Sequence, residues 1–149
     1  MMEIKRVHSV DEYDFSMMDH LFMQLPHANL QGERTLAYIE KVVDKGFLFV
    51  VADEQKTVYA VFGFYANNFE TRIAYFSSIV VHESLRDTGW GTKLMHHCIG
   101  VAKEQGMREF EFHVLKSNTR AINLYKRFGV EIVPSECTEE KYLMRGPLV

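Results

Sequence analysis

The run Arg86-Asp87-Thr88-Gly89-Trp90-Gly91 is the stretch of this chain best placed for chemistry. It follows an apolar, strand-like run, Ile79-Val80-Val81, and opens a helical pattern that begins near Thr92. A glycine-bearing turn at a helix start collects backbone N–H groups that have no partner inside the helix. The helix macrodipole adds roughly half a positive charge at that end, so the turn is suited to a phosphate or pyrophosphate. Other constellations fail on spacing. His82-Glu83 begins like a zinc-protease motif, but the residue four positions after His82 is Arg86, so no metal pair forms and no metal is expected. His96 and His97 are helix neighbours pointing about 100° apart, which suits a solvated face better than chelation. No Gly-Lys-[Ser/Thr] follows the glycine turn, and the longer G-x-G-x-x-G fingerprint of dinucleotide sites is missing.

The elements that must position this turn are read from periodicity. Ile4–Val7 reads as a first strand, and Asp11–Leu25 carries Phe15, Met18, Leu21, Phe22 and Leu25 at helical spacing, closed by Pro26. Glu33–Asp44 repeats the helical pattern, and Gly46 ends it. Phe47–Ala52 and Thr57–Tyr65 flank the polar turn Asp53-Glu54-Gln55-Lys56 and read as a hairpin. Asn67-Asn68 turns the chain into a strand over Arg72–Val81. Thr92–Gln105 is a helix with Leu94, Met95, Cys98, Val101 and Ala102 on one face and Gly106 as its cap.

From Arg108 the period becomes two: Phe110, Phe112 and Val114 point one way, and Glu109, Glu111 and His113 the other. Asn118 caps a last helix, Thr119–Phe128, which Gly129 ends. Val130–Val133 and Lys141–Arg145 then pair as a terminal hairpin. The order β-α-α-β-β-β-α-β-α-β-β predicts a mixed α/β fold, a mostly antiparallel sheet flanked by about four helices, with residues 1–149 as one domain.

Composition sets bounds on function. With 47% hydrophobic and 25% charged residues in 149, the chain has the balance of an ordinary globular protein able to bury a core. A net charge of −3 argues against a nucleic-acid partner, although a local nest of N–H groups still holds an anion. The longest apolar runs fall far short of the ~20 residues a membrane span requires, so no membrane partner is expected. Cys98 and Cys137 are the two cysteines, and without secretion features they read as reduced thiols in a cytoplasmic protein.

Two blocks carry a family resemblance. Arg86-x-x-Gly89-x-Gly91 sits between a strand and a helix, and Asn118, Ala121, Tyr125 and Gly129 follow one helix and one strand later. In this order and spacing the chain resembles the GNAT superfamily, the acyl-CoA-dependent N-acetyltransferases. The likeness is strong from Tyr75 to Val130 and looser over the rest; Val130 stands where the family usually has Phe, a difference of packing. The resemblance implies acetyl-CoA as co-substrate. The backbone of Arg86, Asp87, Thr88, Gly89, Trp90, Gly91 and Thr92 would wrap the coenzyme A pyrophosphate, with Asn118 also binding coenzyme. Ile79, Val80 and Val81 would hydrogen-bond the pantetheine arm. In the family that strand carries a bulge and splays from the next one, and Ser77-Ser78 is the candidate bulge site here. Lys93, Lys116, Arg120 and Lys126 are candidates for the coenzyme's 3′-phosphate, and pairing of two copies through a sheet edge is common in the family.

Acetyl transfer to an amine needs a neutral nitrogen and a protonated leaving thiol. An alkyl ammonium of pKa ~10.4 is disfavoured as the free amine at pH 7 by roughly 4–5 kcal/mol. The resemblance makes Tyr125 the general acid toward the thiolate. Related enzymes often carry a Glu or His base at positions matching Tyr75 and Ser77, and neither residue is an obvious base. Glu70, Glu111 and His113 are further candidates, and the base stays unassigned. Helices before the first hairpin and the loop His27–Gly32 would shape the acceptor pocket. The expected activity is direct transfer from acetyl-CoA to a primary amine of a small molecule in a ternary complex. A protein amine as acceptor, or a non-catalytic acyl-CoA-binding domain, are the alternatives.

Overall fold

The computed structural model describes residues 1–13 and 33–148. The described residues form seven strands, β1 (Glu3–Arg6), β2 (Phe47–Ala52), β3 (Val58–Tyr65), β4 (Ile73–Val81), β5 (Glu109–Leu115), β6 (Glu131–Ile132) and β7 (Lys141–Pro147). Three helices accompany them: α1 (Glu33–Lys45), α2 (Trp90–Glu104) and α3 (Thr119–Lys126). Of the helix expected over Asp11–Leu25, residues 14–25 lie outside the described part, as does the loop His27–Gly32. Its opening is a short 3-10 turn, Val10–Glu12, capped by Ser9, whose N–H donates to Glu12 Oε1 at 2.7 Å. α2 starts two residues earlier than the sequence predicts. Gly89 takes a left-handed backbone (φ +88°) and becomes the N-cap, so Trp90 and Gly91 fall inside the first helical turn.

The strands make one sheet in the order β1-β2-β3-β4-β5-β7-β6. Every neighbouring pair is antiparallel except β4 and β5, which run parallel because the chain returns through α2. Each face is buried. On one side, Leu94, Met95, Cys98 and Ala102 of α2 and Ile122 and Tyr125 of α3 pack on Phe62, Phe64, Phe76, Phe110 and Phe112. On the other, Ile39 and Val42 of α1 pack on Leu48, Val50, Val61 and Val80. Burying an aliphatic or aromatic side chain of this size contributes about 1.5–3 kcal/mol, so both layers hold the sheet rigid.

The strand pair β4–β5 is incomplete. Ile73, Ala74 and Tyr75 pair with Glu109, Phe110 and Glu111, and no pairing follows. Beyond that point β4 stays bonded to β3 as far as Val81, and β5 stays bonded to β7 as far as Leu115. The sheet therefore forks. On the open side of β4, alternate backbone groups have no strand to pair with.

The expected bulge is present. Register with β3 steps from Phe64↔Phe76 to Gly63↔Ser78, which leaves Ser77 as the extra residue. The step changes the spacing of inward residues: Ala74 and Phe76 share the α2 face with Ile79 and Val81, while Ser78 turns to the α1 face beside Val80. Hydroxyl groups bind the bulge. Ser77 Oγ donates to the Gly63 carbonyl at 3.0 Å, so it accepts from Tyr38 Oη at 2.5 Å, and Tyr38 in turn accepts from Ser78 Oγ at 2.6 Å. Burial pushes the Tyr38 phenol up to about 12, the two serine hydrogen bonds acting against that rise.

Gly63 is the residue that lets Tyr38 approach, since a Cβ there would stand 2.4 Å from Tyr38 Oη and 2.9 Å from Ser78 Oγ. Gly63→Ala is expected to lower stability by about 1–3 kcal/mol. In a Tyr38→Phe background the cost should shrink by at least ~0.5 kcal/mol, because the clashing oxygen is gone. Denaturant unfolding of the four proteins measures this coupling, and additive losses would remove Tyr38 from the contact.

Candidate active site

β4 ends at Val81, and the chain passes directly into the turn that starts α2. His82 caps the 3-10 turn Glu83–Leu85, its Nδ1 accepting from the Ser84 amide at 3.1 Å. That contact gives His82 a structural task. Asp87 and Gly89 both adopt left-handed conformations, φ +65° and +88°. The turn folds so that Asp87, Gly89, Trp90, Gly91 and Thr92 donate to no backbone carbonyl among the described residues. The N-cap offers no side chain to satisfy them. An N–H cluster at a helix start, with the dipole behind it, is a site for an anion.

A cleft of 660 Å³ runs from this turn along the open edge of β4. Ile79, Val80 and Val81 form one wall; Arg86, Asp87, Gly89, Gly91 and Thr92 form the end; Asn118 and Tyr125 of α3 lie across from them. Ten of the twelve residues expected in the site thus share one cavity. Thr88 and Trp90 do not line it: the Thr88 hydroxyl donates to the Leu85 carbonyl, and the Trp90 ring lies under Lys93 Nζ at 4.6 Å. Leu85, Asn123, Leu124 and Arg127 also line the cleft, and sequence reasoning misses them. Helical spacing from Ala121 is the signal that could have found Leu124. Arg86, Arg120 and Arg127 against Asp87 make the cleft locally basic on a protein of net charge −3. Arg120 Nη2 reaches Asp87 Oδ1 at 3.3 Å across the mouth.

A Cβ on Gly89 would meet nothing within 4 Å, and one on Gly91 would touch only Val81 Cγ2 at 3.8 Å. The space in front of both belongs to the cleft, so the need for glycine at 89 comes from its backbone angle. Asn118 does cap α3, its Oδ1 accepting from the Ala121 amide at 3.2 Å.

Tyr125 is 7% exposed, with its ring edge-on to Phe112 at 4.4 Å between centroids. Burial pushes its phenol well above the ordinary 10.0. None of the described residues hydrogen-bonds that hydroxyl, which leaves its proton available to the cleft. Cys98 is buried in the α2 face with its thiol pushed up by desolvation, and Cys137 Sγ contacts the Val133 carbonyl at 3.2 Å. Neither cysteine lines the cleft. Of the other cations expected near a 3′-phosphate, Lys93, Lys116 and Lys126 do not line the cleft, and Lys116 lies over the Tyr142 ring at 5.3 Å.

The candidate bases sort by their partners. Glu111 is engaged by Arg145 Nη2 at 2.9 Å, and its carboxylate holds the guanidinium more firmly protonated. Ser77 belongs to the hydroxyl chain of the bulge. Glu70 is exposed in the Asn68–Thr71 turn that precedes β4. Tyr75 Oη lies 2.7 Å from His113 Nδ1, with the Tyr75 phenol raised by burial and then by the Glu111 charge. Among the described residues no cluster of His, Cys, Asp and Glu could hold a metal ion, and no helix is long and apolar enough to cross a membrane.

Known proteins share this fold. Residues 15–130 match the model of the acetyltransferase (GNAT) family. Over 73 residues the chain is 33% identical to mouse thialysine N-epsilon-acetyltransferase, a stretch of 49% of this chain and 43% of that enzyme. The matched part is thus less than half of the relative's length. The fold superposes on the crystal structure of the Escherichia coli ribosomal-protein-S18-alanine N-acetyltransferase with a TM-score of 0.75, at 21% identity, over 99% of this chain and 94% of that one. It also superposes on an Elizabethkingia anophelis GNAT acetyltransferase with acetyl-CoA bound, TM-score 0.72 at 14% identity, over 98% and 97% of the two chains. With its forked sheet, amide-rich turn and family match over most of its length, the chain belongs to the GNAT acetyltransferase family.

Proposed function

We propose that this protein is an N-acetyltransferase that moves an acetyl group from acetyl-CoA directly to a primary amine of a small molecule. The carrying observation is the one cleft that joins the unpartnered amides of Asp87, Gly89, Gly91 and Thr92, the open edge of β4 and Tyr125. The amides and Arg86 would hold the pyrophosphate, and Ile79–Val81 would hydrogen-bond the pantetheine amides as a neighbouring strand does. That arrangement leads the thioester into the fork, toward Tyr125.

Direct transfer fits the thiols. An acyl-enzyme needs an accessible nucleophile with a lowered pKa, and the buried Cys98 has the opposite shift. Tyr125 acts as proton donor to the departing sulfur. Its raised pKa widens the mismatch with a free thiol of ~8.5, but the same desolvation raises the thiol, so the donor and the leaving group move together. A small amine as acceptor is supported by the relative whose name specifies thialysine. A protein amine is the second reading, since the similar E. coli fold carries an enzyme named for an alanine of a ribosomal protein. A purely binding domain would have no use for a free phenol at the end of its cleft.

Thiol release from acetyl-CoA over a panel of primary amines tests the reading, and no release above the protein-free rate with any of them would overturn it. Tyr125→Phe should lower kcat about 100-fold with the calorimetric Kd for coenzyme A nearly unchanged; equal turnover would take Tyr125 out of the chemistry. Because the Tyr125 proton is held more tightly than an ordinary phenol's, the donor form persists as pH rises, and kcat should show no alkaline fall up to pH ~10. Gly89→Ala should raise the Kd for coenzyme A roughly tenfold through backbone strain of about 1–2 kcal/mol at φ +88°; an unaltered Kd would show that the turn does not hold the coenzyme.

A further inference from the structure

We propose that Tyr75 and His113 form a proton relay that deprotonates the acceptor amine on the sheet face opposite Tyr125, an inference that rests on the acetyltransferase reading above. Position carries the argument. Tyr75 is the last residue of β4 that pairs with β5, where it stands opposite Glu111. His113 lies two residues farther along β5, past the fork, where β5 is bonded to β7 through Leu143. The two side chains meet over the apex of the fork with Tyr75 Oη 2.7 Å from His113 Nδ1. Their rings lie 5.8 Å apart between centroids. Phe112, next to His113, points to the other face and packs on Tyr125. Strand alternation therefore puts the Tyr125 phenol on one side of the sheet and the His113 imidazole on the other. A thioester threaded through the fork has a proton donor behind it and a proton acceptor in front.

Among the described residues, the surrounding groups leave this pair as the one suited to the task. Glu111, the carboxylate nearest the apex on the same face, is tied to Arg145 of β7. Lys141 of β7 stands opposite Leu115, and Glu131 of β6 stands opposite Arg145. From α1, Tyr38 hydrogen-bonds Ser77 and Ser78, and from β3, Tyr65 stands opposite Tyr75. None of these is both basic near neutrality and joined to a residue at the apex. His113 is also exposed, so a proton that reaches it has a way to water.

Protons and electrons balance along the relay. The acceptor ammonium gives a proton to Tyr75 Oη as the Tyr75 proton passes to His113 Nδ1, and His113 releases its Nε2 proton to solvent; exchange with water then moves the remaining ring proton from Nδ1 back to Nε2 before the next turnover. The freed nitrogen pair forms the bond to the thioester carbonyl carbon, and the C–S bond breaks with its electrons going to sulfur. The nitrogen's second proton is lost to water. Tyr125 protonates the sulfur and is reprotonated from water, so one amide, one thiol and one solvent proton result. This order requires neutral His113 to carry its proton on Nε2 while Nδ1 accepts from Tyr75.

The test uses wild-type protein, Tyr75→Phe and His113→Asn, with amines from the panel that wild type turns over. In the second variant the side-chain amide keeps an oxygen for the Tyr75 hydroxyl but cannot carry the proton onward. At pH ~7 both variants should lose about 100-fold in kcat/KM for the amine, with the Kd for coenzyme A within about twofold of wild type. The deficit should shrink steadily toward pH ~10, where the amine deprotonates without help. A deficit constant with pH marks a structural role and overturns the relay, as does no deficit; both leave the acetyltransferase reading intact. A wild-type protein inactive toward the whole panel overturns that reading instead. Nitrogen-15 shifts of His113 in the labelled wild type need neither variant nor acceptor: a bare Nδ1 with a protonated Nε2 supports the relay, and the reverse tautomer overturns it.

Discussion

β4 and β5 stop pairing after three residues each, and the architecture of the cleft depends on that stop. Parallel neighbours are joined through a crossover, here α2, so the chain that leaves the end of β4 must start a helix close to the open side of the fork. The unpaired edge of a strand and the unpaired amides of a helix start are thereby brought to one cavity. Each set alone is common. Together they offer a ladder of strand-type hydrogen bonds leading up to an anion site, which is the shape of a long molecule with a phosphate at one end.

Leaving backbone groups without partners costs about 1–3 kcal/mol for each one that is truly buried, so a fork persists only if the rest of the sheet prevents closure. Two features do so. The bulge at Ser77 shifts β4 by one residue and gives the strand a local bend, and the hydroxyl chain Ser78–Tyr38–Ser77 ties that bend to α1. On the far side β5 is fully occupied by β7 over its whole length. The aromatic layer of Phe76, Phe110 and Phe112 then fills the space below the apex, with Phe76 and Phe110 stacked at 4.7 Å. Tyr125 sits on this layer, which buries its ring at the wall of the cleft.

Electrostatics in the cleft are local. A chain of net charge −3 presents Arg86, Arg120 and Arg127 around the amide turn, with Asp87 as the lone carboxylate among the lining residues. The Arg120–Asp87 pair is exposed, and exposed pairs of this kind contribute little to stability. Its place at the mouth makes it a matter of charge distribution around an incoming anion rather than of folding. Buried phenols behave in the opposite sense: Tyr38 and Tyr125 stay neutral because the protein withholds water from their charged forms.

Periodicity alone determined the order of the described elements from α1 onward, because a switch from helical to strand spacing at Arg108 or a glycine after a helical run is a local fact of chain geometry. The spacing of Arg86, Gly89, Gly91, Asn118 and Tyr125 determined the family likeness for the same reason: each residue answers to its own turn or helix cap. The family likeness implied a bulge in this strand, and Ser77-Ser78 was its candidate place. Only the folded chain could decide the rest. The start of α2 at Trp90 rests on a left-handed Gly89, the removal of Thr88 and Trp90 from the cleft on contacts they make elsewhere, and the addition of Asn123 and Arg127 on how α3 docks. The meeting of Tyr75 with His113 joins residues 38 positions apart, across strands whose separation is set by the fork. Such pairings depend on register between distant segments, which no local pattern encodes, and so chemistry on the acceptor side became readable only once the sheet was assembled.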